Sequence, residues 1–195
     1  MLKIYNTDMQ TNKLEEITEF KKGSWINLEK PTNEEIEKVC TSINIEQDFI
    51  RYALDYEEKA RIDIEEDIML FIIDIPIIEK NSDTEIYTTM PIGMIIVRDD
   101  YFITVSLTKN RVIENFEKRK IRDFITYKKS RFLFQIFYHN ASVFLAYLKQ
   151  ISKETEIAEN VLKNSMKNKE LLKLLSLEKS LVYFTTSLKS NELEM

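Results

Sequence analysis

Seven carboxylates fall between positions 55 and 67 (Asp55, Glu57, Glu58, Asp63, Glu65, Glu66 and Asp67), against Lys59 and Arg61 alone. Carboxylate oxygens at this density can hold a hard divalent cation, which prefers oxygen ligands. Asp55, Glu57 and Glu58 are the candidate metal ligands, placed where a helical segment hands over to a strand. The same oxygens can equally be the solvated end of a sheet. In "RIDIEED" Asp63 and Glu65 alternate with Ile62 and Ile64, as on the water face of an edge or half-exposed strand, and Glu66 and Asp67 then belong to a turn. Catalysis by paired carboxylates needs one raised pKa and a cleft, and the sequence signals neither. Asp74, inside "LFIIDIPII", is a different case, because a carboxylate in a buried run needs a partner or an edge position.

The remaining chemistry is sparse. One cysteine (Cys40) and one histidine (His139) exclude a Cys/His zinc site within one chain and an intrachain disulfide. A Ser–His or Cys–His nucleophile would need His139 as its base, yet "FQIFYHNASVF" reads as helix interior, where a histidine packs or meets water. Gly23 and Gly93 stand alone, so neither common phosphate-cradling loop can be built. No catalytic residue and no organic cofactor site emerges.

Charge is polarised along the chain. The acidic cluster carries a surplus of five negative charges, as large as the formal net charge of −5 for the whole chain. Residues 109–131 hold nine lysines and arginines against Glu114, Glu117 and Asp123. Phe116, Phe124, Tyr127 and Phe132 are interleaved there, as in a nucleic-acid stacking surface. The spacing Val112, Phe116, Arg119 or Lys120 also fits an ordinary amphipathic helix, and the acidic balance argues against a general nucleic-acid partner.

Positioning these groups falls to two kinds of element. In the first half, "LKIYN" and "WINLE" have strand composition. Thr32 followed by Glu35 forms a capping-box pattern that opens the helix "NEEIEKVCTSI", and a second helix is expected over "IEQDFIRYALD". "IMLFIIDIPII" is too continuously apolar to be half-exposed and is expected at the centre of the sheet. "PIGMIIV" and "YFITVSL" flank "RDD" as a hairpin. In the second half there is no Pro or Gly. Leu133, Ile136, Asn140, Val143, Tyr147, Ile151, Glu154, Ala158, Val161 and Ser165 step by three and four, predicting one helix over 130–166 of roughly ten turns. The aromatic set Phe132, Phe134, Phe137, Tyr138, Phe144 and Tyr147 is expected to pack. A second helix over 170–190 should fold back on the first, leaving Leu181, Val182, Phe184 and Leu188 exposed as a weak dimer surface. The expected fold class is α+β: an α/β sandwich with a mixed sheet over 1–108, followed by long antiparallel, coiled-coil-like helices over 109–195.

No signal peptide is expected from "MLKIYNTDMQ", and the runs "IMLFII" and "IGMIIV" fall well short of the ~20 residues of a bilayer span. "TTSLKSNELEM" carries no helix-stop signal, which favours a chain cut short of its natural end.

The ordered set "GSWINLEKPTNEEI", "ALDYEEKARIDIEEDIMLFIIDIPI", "MPIGMIIVRDDYFITVS" and then a long helical segment resembles the cytoplasmic part of CorA-type magnesium transporters, especially the branch of low-GC Gram-positive bacteria. The resemblance spans essentially the whole chain. It implies an N-terminal α/β domain leading through long helices to two transmembrane helices joined by a Gly-Met-Asn loop. It also implies a homopentamer in a bacterial plasma membrane whose pore conducts Mg²⁺, and Co²⁺ or Ni²⁺ in some members. This chain would be the sensing and gating part on the cytoplasmic side, joined to the membrane through a missing C-terminal segment. In one respect it departs from the family. The carboxylate pair that holds a regulatory Mg²⁺ between subunits aligns with Arg51 and Tyr52, and a cation and a phenol cannot replace two oxygen anions. "NASVFLAY" at 140–147 offers no partner carboxylate, so Asp55, Glu57 and Glu58 are the nearest alternatives. The competing expectation is a soluble, non-transport scaffold that binds partners through its long helices.

Overall fold

Strands apolar on both faces need cover on two sides, and the computed structural model, which describes residues 1–81, 84–164 and 168–193, supplies it with helices on both faces of one sheet. Seven strands build that sheet: β1 (Leu2–Thr7), β2 (Leu14–Ile17), β3 (Trp25–Glu29), β4 (Arg61–Glu65), β5 (Ile68–Asn81), β6 (Thr84–Val97) and β7 (Tyr101–Ser106). Their order is β2-β1-β3-β7-β6-β5-β4. Only β3 and β7 run parallel, so the sheet is mixed, as expected. The helices α1 (Asn33–Ile43) and α2 (Asp48–Tyr52) lie on one face; α3 (Arg111–Glu117), α4 (Lys129–Asn164) and α5 (Asn168–Leu193) lie on the other.

The period-2 pattern divides the side chains between two cores. Ile26, Leu28, Leu70, Ile72, Ile95 and Ile103 point toward Ile36, Val39, Ile43 and Ile50 of α1 and α2. Trp25, Ile73, Ile75, Ile92 and Phe102 point toward Phe116, Phe132, Ile136 and Phe144. β5 contributes to both, which accounts for its continuous apolar run. It is not central, however: only β4 separates it from the edge. An apolar run reports cover on both faces, and the helical layers extend that far.

Local signals held in several places. Thr32 Oγ1 accepts from the Glu35 amide at 3.2 Å and the Glu35 carboxylate accepts from the Thr32 amide at 2.9 Å, closing the predicted box. Arg98 and Asp99 both take left-handed backbone (φ 49° and 52°), which turns β6 into β7 at "RDD". The second helix is shorter than expected, five residues over Asp48–Tyr52. The helix expected through Arg119 and Lys120 stops at Glu117, and those two basic residues lie in the following turn.

The long helix runs from Lys129 to Asn164 without interruption. Its stripe is buried at Leu133, Ile136, Asn140, Val143, Tyr147, Ile151 and Ala158. Glu154 sits on the stripe because Tyr87 Oη donates to it at 2.8 Å and Lys173 Nζ lies at 3.3 Å. The cross-helix pairs Glu154–Lys173 and Phe144–Phe184, with Asn140 and Asn191 meeting at Asp74, make α4 and α5 an antiparallel hairpin. Two details depart from expectation. Phe134 and Tyr138 are exposed rather than packed, and Phe184, expected at the surface, is buried between the helices. Ser165 of the predicted stripe lies outside the described residues.

Candidate functional site

The acidic cluster is set at one end of the sheet by a close approach. Gly93 of β6 faces Ala53 just past α2, and a Cβ at 93 would come within 2.5 Å of the Ala53 Cβ. That absent methyl lets α2 seat against the sheet, and the turn that carries Asp55, Glu57 and Glu58 follows directly. Asp55 Oδ1 accepts from the Glu57 amide at 3.0 Å, an Asx turn that folds the segment on itself. Glu58 Oε1 accepts from the Lys59 amide at 3.0 Å and pairs with Arg61. Arg61 Nε also donates to Asp63 Oδ2 at 2.6 Å, and its guanidinium lies 4.7 Å over the Tyr52 ring. Asp63, foremost, holds the Arg61 guanidinium above its ordinary range. The three candidate ligands are therefore near in sequence but not alike in space. Glu58 is committed to Arg61, while Asp55 and Glu57 are exposed.

The faces of β4 are reversed from the expected alternation. β4 is indeed an edge strand, but Ile62 and Ile64 face water, with Ile64 69% exposed, while Arg61 and Asp63 are half-covered. The cause is Tyr52, stacked beneath Arg61, which screens the charged face. Alternation shows that two faces differ, not which one is wet. Arg51, at the position where the resemblance leads one to look for a carboxylate, donates to Asn33 Oδ1 (3.3 Å) and Gln47 Oε1 (3.1 Å). Tyr52 contributes its ring to Arg61. Neither residue offers an anionic oxygen.

A feature missed from the sequence lies beside the cluster. Glu46, Glu65, Glu66 and Asp67 rim a cleft of about 660 Å³ that also meets Asn44, Phe49 and Arg98. Arg98 is turned inward there by the carbonyls of Ile43 (3.1 Å) and Asn44 (2.9 Å). Glu46 carried no signal because it lies between two helices, 19 positions before Glu65. Among the described residues no three His, Cys, Asp or Glu side chains converge as a metal site within one chain.

His139 is accounted for by packing. Its Nε2 lies 2.7 Å from Asn115 Nδ2 and its ring stands edge-on to Phe116. Burial, then Arg111, lowers its pKa. The Asp74 carboxylate, which was expected to require a partner, has the Ser187 hydroxyl beside it; the backbone of the same residue is held separately. The Asn191 side-chain amide mimics a neighbouring strand, accepting from the Asp74 N–H and donating to its C=O, both at 2.8 Å. Asn140 donates to the same carbonyl at 2.9 Å. β4 pairing ends at Arg61–Ile72, so two helix-borne asparagines take up the strand edge where β4 no longer reaches it.

The profile of the CorA-like Mg²⁺ transporter protein family matches residues 20–193. A curated relative, the cobalt/magnesium transport protein CorA of Methanocaldococcus jannaschii, is 29% identical over 176 residues, covering 86% of this chain. The chain spans about half of that relative's length, 52%. The complete structure of the CorA magnesium transporter from M. jannaschii superposes with a TM-score of 0.83 at 22% identity, covering 98% of this chain and 60% of that one. The soluble domain of the same protein gives 0.80 at 24% identity, covering 98% and 76%. The ZntB cytoplasmic domain from Vibrio parahaemolyticus gives 0.64 at 12%, covering 93% and 72%. Among the described residues no helix is long and apolar enough to cross a membrane. With the profile running from before β3 through α5, and the sheet and helix hairpin shared with the CorA folds, this chain belongs to the CorA-like Mg²⁺ transporter family.

Proposed function

We propose that this chain is the sensing and gating part of a CorA-type transporter of Mg²⁺, with Co²⁺ or Ni²⁺ as further cargo. It would act on the cytoplasmic side of a bacterial plasma membrane, as one of five identical copies. The observation that carries this reading is the family match over residues 20–193, joined to a fold likeness that takes in 98% of the chain. It favours the transporter over the independent scaffold. The role is not enzymatic and needs no organic cofactor; the ion is cargo and signal. In this reading residues 1–108 form the sensing unit and 109–195 carry its state onward. The antiparallel hairpin of α4 and α5, fastened to β5 through Asp74, is the mechanical link between them.

Asp55 and Glu57 are the proposed ligands that one copy offers to a regulatory Mg²⁺, with Glu58 joining if it leaves Arg61. Two or three carboxylates with retained waters suit this ion, and a neighbouring copy would complete the shell. The test is ion flux. The protein carrying this chain, placed in vesicles with a Mg²⁺-sensitive dye, should pass Mg²⁺ down its gradient. Flux should fall as Mg²⁺ rises on the side of this domain. Absence of Mg²⁺, Co²⁺ and Ni²⁺ movement would overturn the reading.

A further inference from the structure

Between α5 and the arm formed by β5 and β6 lies a half-shielded carboxylate without a counter-charge. Asp74 lines a cleft of about 410 Å³ there, together with Glu79, Thr88, Thr89 and the rings of Tyr56 and Tyr183. Ser187 of α5 stands beside the Asp74 carboxylate, its hydroxyl 2.8 Å from Thr89 Oγ1. Burial raises the pKa of Asp74 and the Ser187 hydroxyl lowers it; no positive charge acts on it. The Asn140 and Asn191 amides are spent on its backbone. Further along the cleft Tyr56 Oη donates to Glu79 Oε1 at 3.4 Å. Among the described residues Lys179 is the one cation that lines the cleft, and its Nζ lies 5.6 Å over the Tyr183 ring.

Asp74 and Glu79 stand five positions apart on β5, roughly 17 Å along the strand. Ile86, Met90 and Pro91 add apolar wall to the same cleft. A hydrated Mg²⁺ makes no use of such walls, and among the described residues no third carboxylate joins the two. An alkyl chain does use them. The seat of Lys179 over Tyr183 shows that an alkylammonium suits the aromatic lining. We propose that the cleft binds a linear alkyl diamine, one ammonium on Asp74 and the other at Glu79 beside the Tyr56 and Tyr183 rings. Carboxylate and hydroxyl oxygens supply the acceptors that the three N–H donors of an ammonium need. A charge-assisted bond to a shielded carboxylate is of the strong kind. Tyr56 stands between Asp55 and Glu57, so the ligand ties that turn to α5. The site does not depend on the transporter reading.

Calorimetric titration of this chain with 1,5-diaminopentane at pH 7 tests the site, with NaCl of equal ionic strength as the blank. One-site binding is expected, weaker for 1-aminopentane and absent for 1,5-pentanediol, which keeps the chain without the charge. The amide of N-acetyl-lysine, standing for a lysine of a partner protein, should bind no better than 1-aminopentane. Asp74→Asn keeps the size of the side chain and removes its charge, so it should weaken the diamine by roughly tenfold or more. Lys179→Met, at an exposed position, removes the competing ammonium and should tighten it by about two- to fivefold. Asp55→Asn/Glu57→Gln should leave the affinity unchanged, since neither residue lines the cleft. Affinity that survives Asp74→Asn but falls in Asp55→Asn/Glu57→Gln means cations gathering on the acidic turn, and overturns the site. So does binding weakened by Lys179→Met, equal binding of the diol, or a lysine amide that binds more tightly than the diamine. None of these outcomes touches the transporter reading, which ion flux decides separately.

Discussion

Trp25 packs edge-on against Phe116, Phe124 and Phe132 while its indole N–H donates to Thr104 Oγ1 at 2.8 Å. Thr104 passes the chain to Asn27, whose amide reaches Glu117, where Tyr5 and Lys3 also converge. Trp25→Phe removes a buried donor and several methylene-sized volumes. An unfolding titration should show a loss of about 2–4 kcal/mol; a change within 0.5 kcal/mol would mean the network is not coupled to the core. Asp74 gives a second test at this scale. Burial raises its pKa, offset in part by the Ser187 hydroxyl beside it. A native pKa above the unfolded one means that the folded state binds this proton more tightly. The contribution is then complete below the unfolded pKa and lost as pH rises through the native one. Asp74→Asn resembles the protonated form, so it should melt higher than the parent at pH 7 and lose that advantage near pH 4; an equal difference at both values would contradict the assignment. The sequence made the need of Asp74 visible, since a carboxylate in an apolar strand is costly. Ser187, beside that carboxylate, and Asn140 and Asn191, which hold the Asp74 backbone from 66 and 117 positions away, carry no local mark.

The elements that could be read from the sequence were those whose pattern is local and long. The helix α4 shows a stripe sustained over its whole length, and α1 announces its start with a capping box. Strand order was less visible, because β5 is apolar for its two covered faces while its neighbours are decided by chain crossings far off. The asparagine clasp on Asp74 belongs to this scale, since it is what holds the helix hairpin to the sheet. Asn191→Leu leaves the Asp74 N–H without its acceptor and removes one donor from its carbonyl. The expected cost is about 1–3 kcal/mol, with faster amide exchange concentrated at the C-terminal end of α5. Uniformly faster exchange throughout the chain would point to global destabilisation instead of release of the hairpin. Gly93→Ala probes the opposite face. The added methyl must displace Ala53, and overpacking of that kind costs about 1–3 kcal/mol while shifting the turn that carries Asp55 and Glu57.

At the scale of the molecule, the question of what the acidic end does turns on linkage. The sequence placed Asp55, Glu57 and Glu58 together, and the structure divides them: Glu58 pairs with Arg61 while the other two face water. One copy thus presents too few free oxygens for a strong Mg²⁺ site, and binding by the isolated chain should be weak. A ligand that binds only the folded state adds RT ln(1 + [L]/Kd) to its stability. With a Kd near the Mg²⁺ concentration used, that is about 0.4 kcal/mol, a rise in Tm of roughly 1–2 °C for a chain of this size. The increment should appear with 10 mM MgCl₂ above NaCl of equal ionic strength, taken as roughly the upper range of such a Kd. It should vanish in Asp55→Asn/Glu57→Gln, whose melting point without Mg²⁺ stays close to that of the parent, because both side chains are exposed and the Glu58–Arg61 pair is left in place. Identical shifts in the two salts would make the cluster a solvated sheet end, with repulsion relieved by any cation. Arg61 then becomes its natural counter-charge, already in place between Glu58 and Asp63.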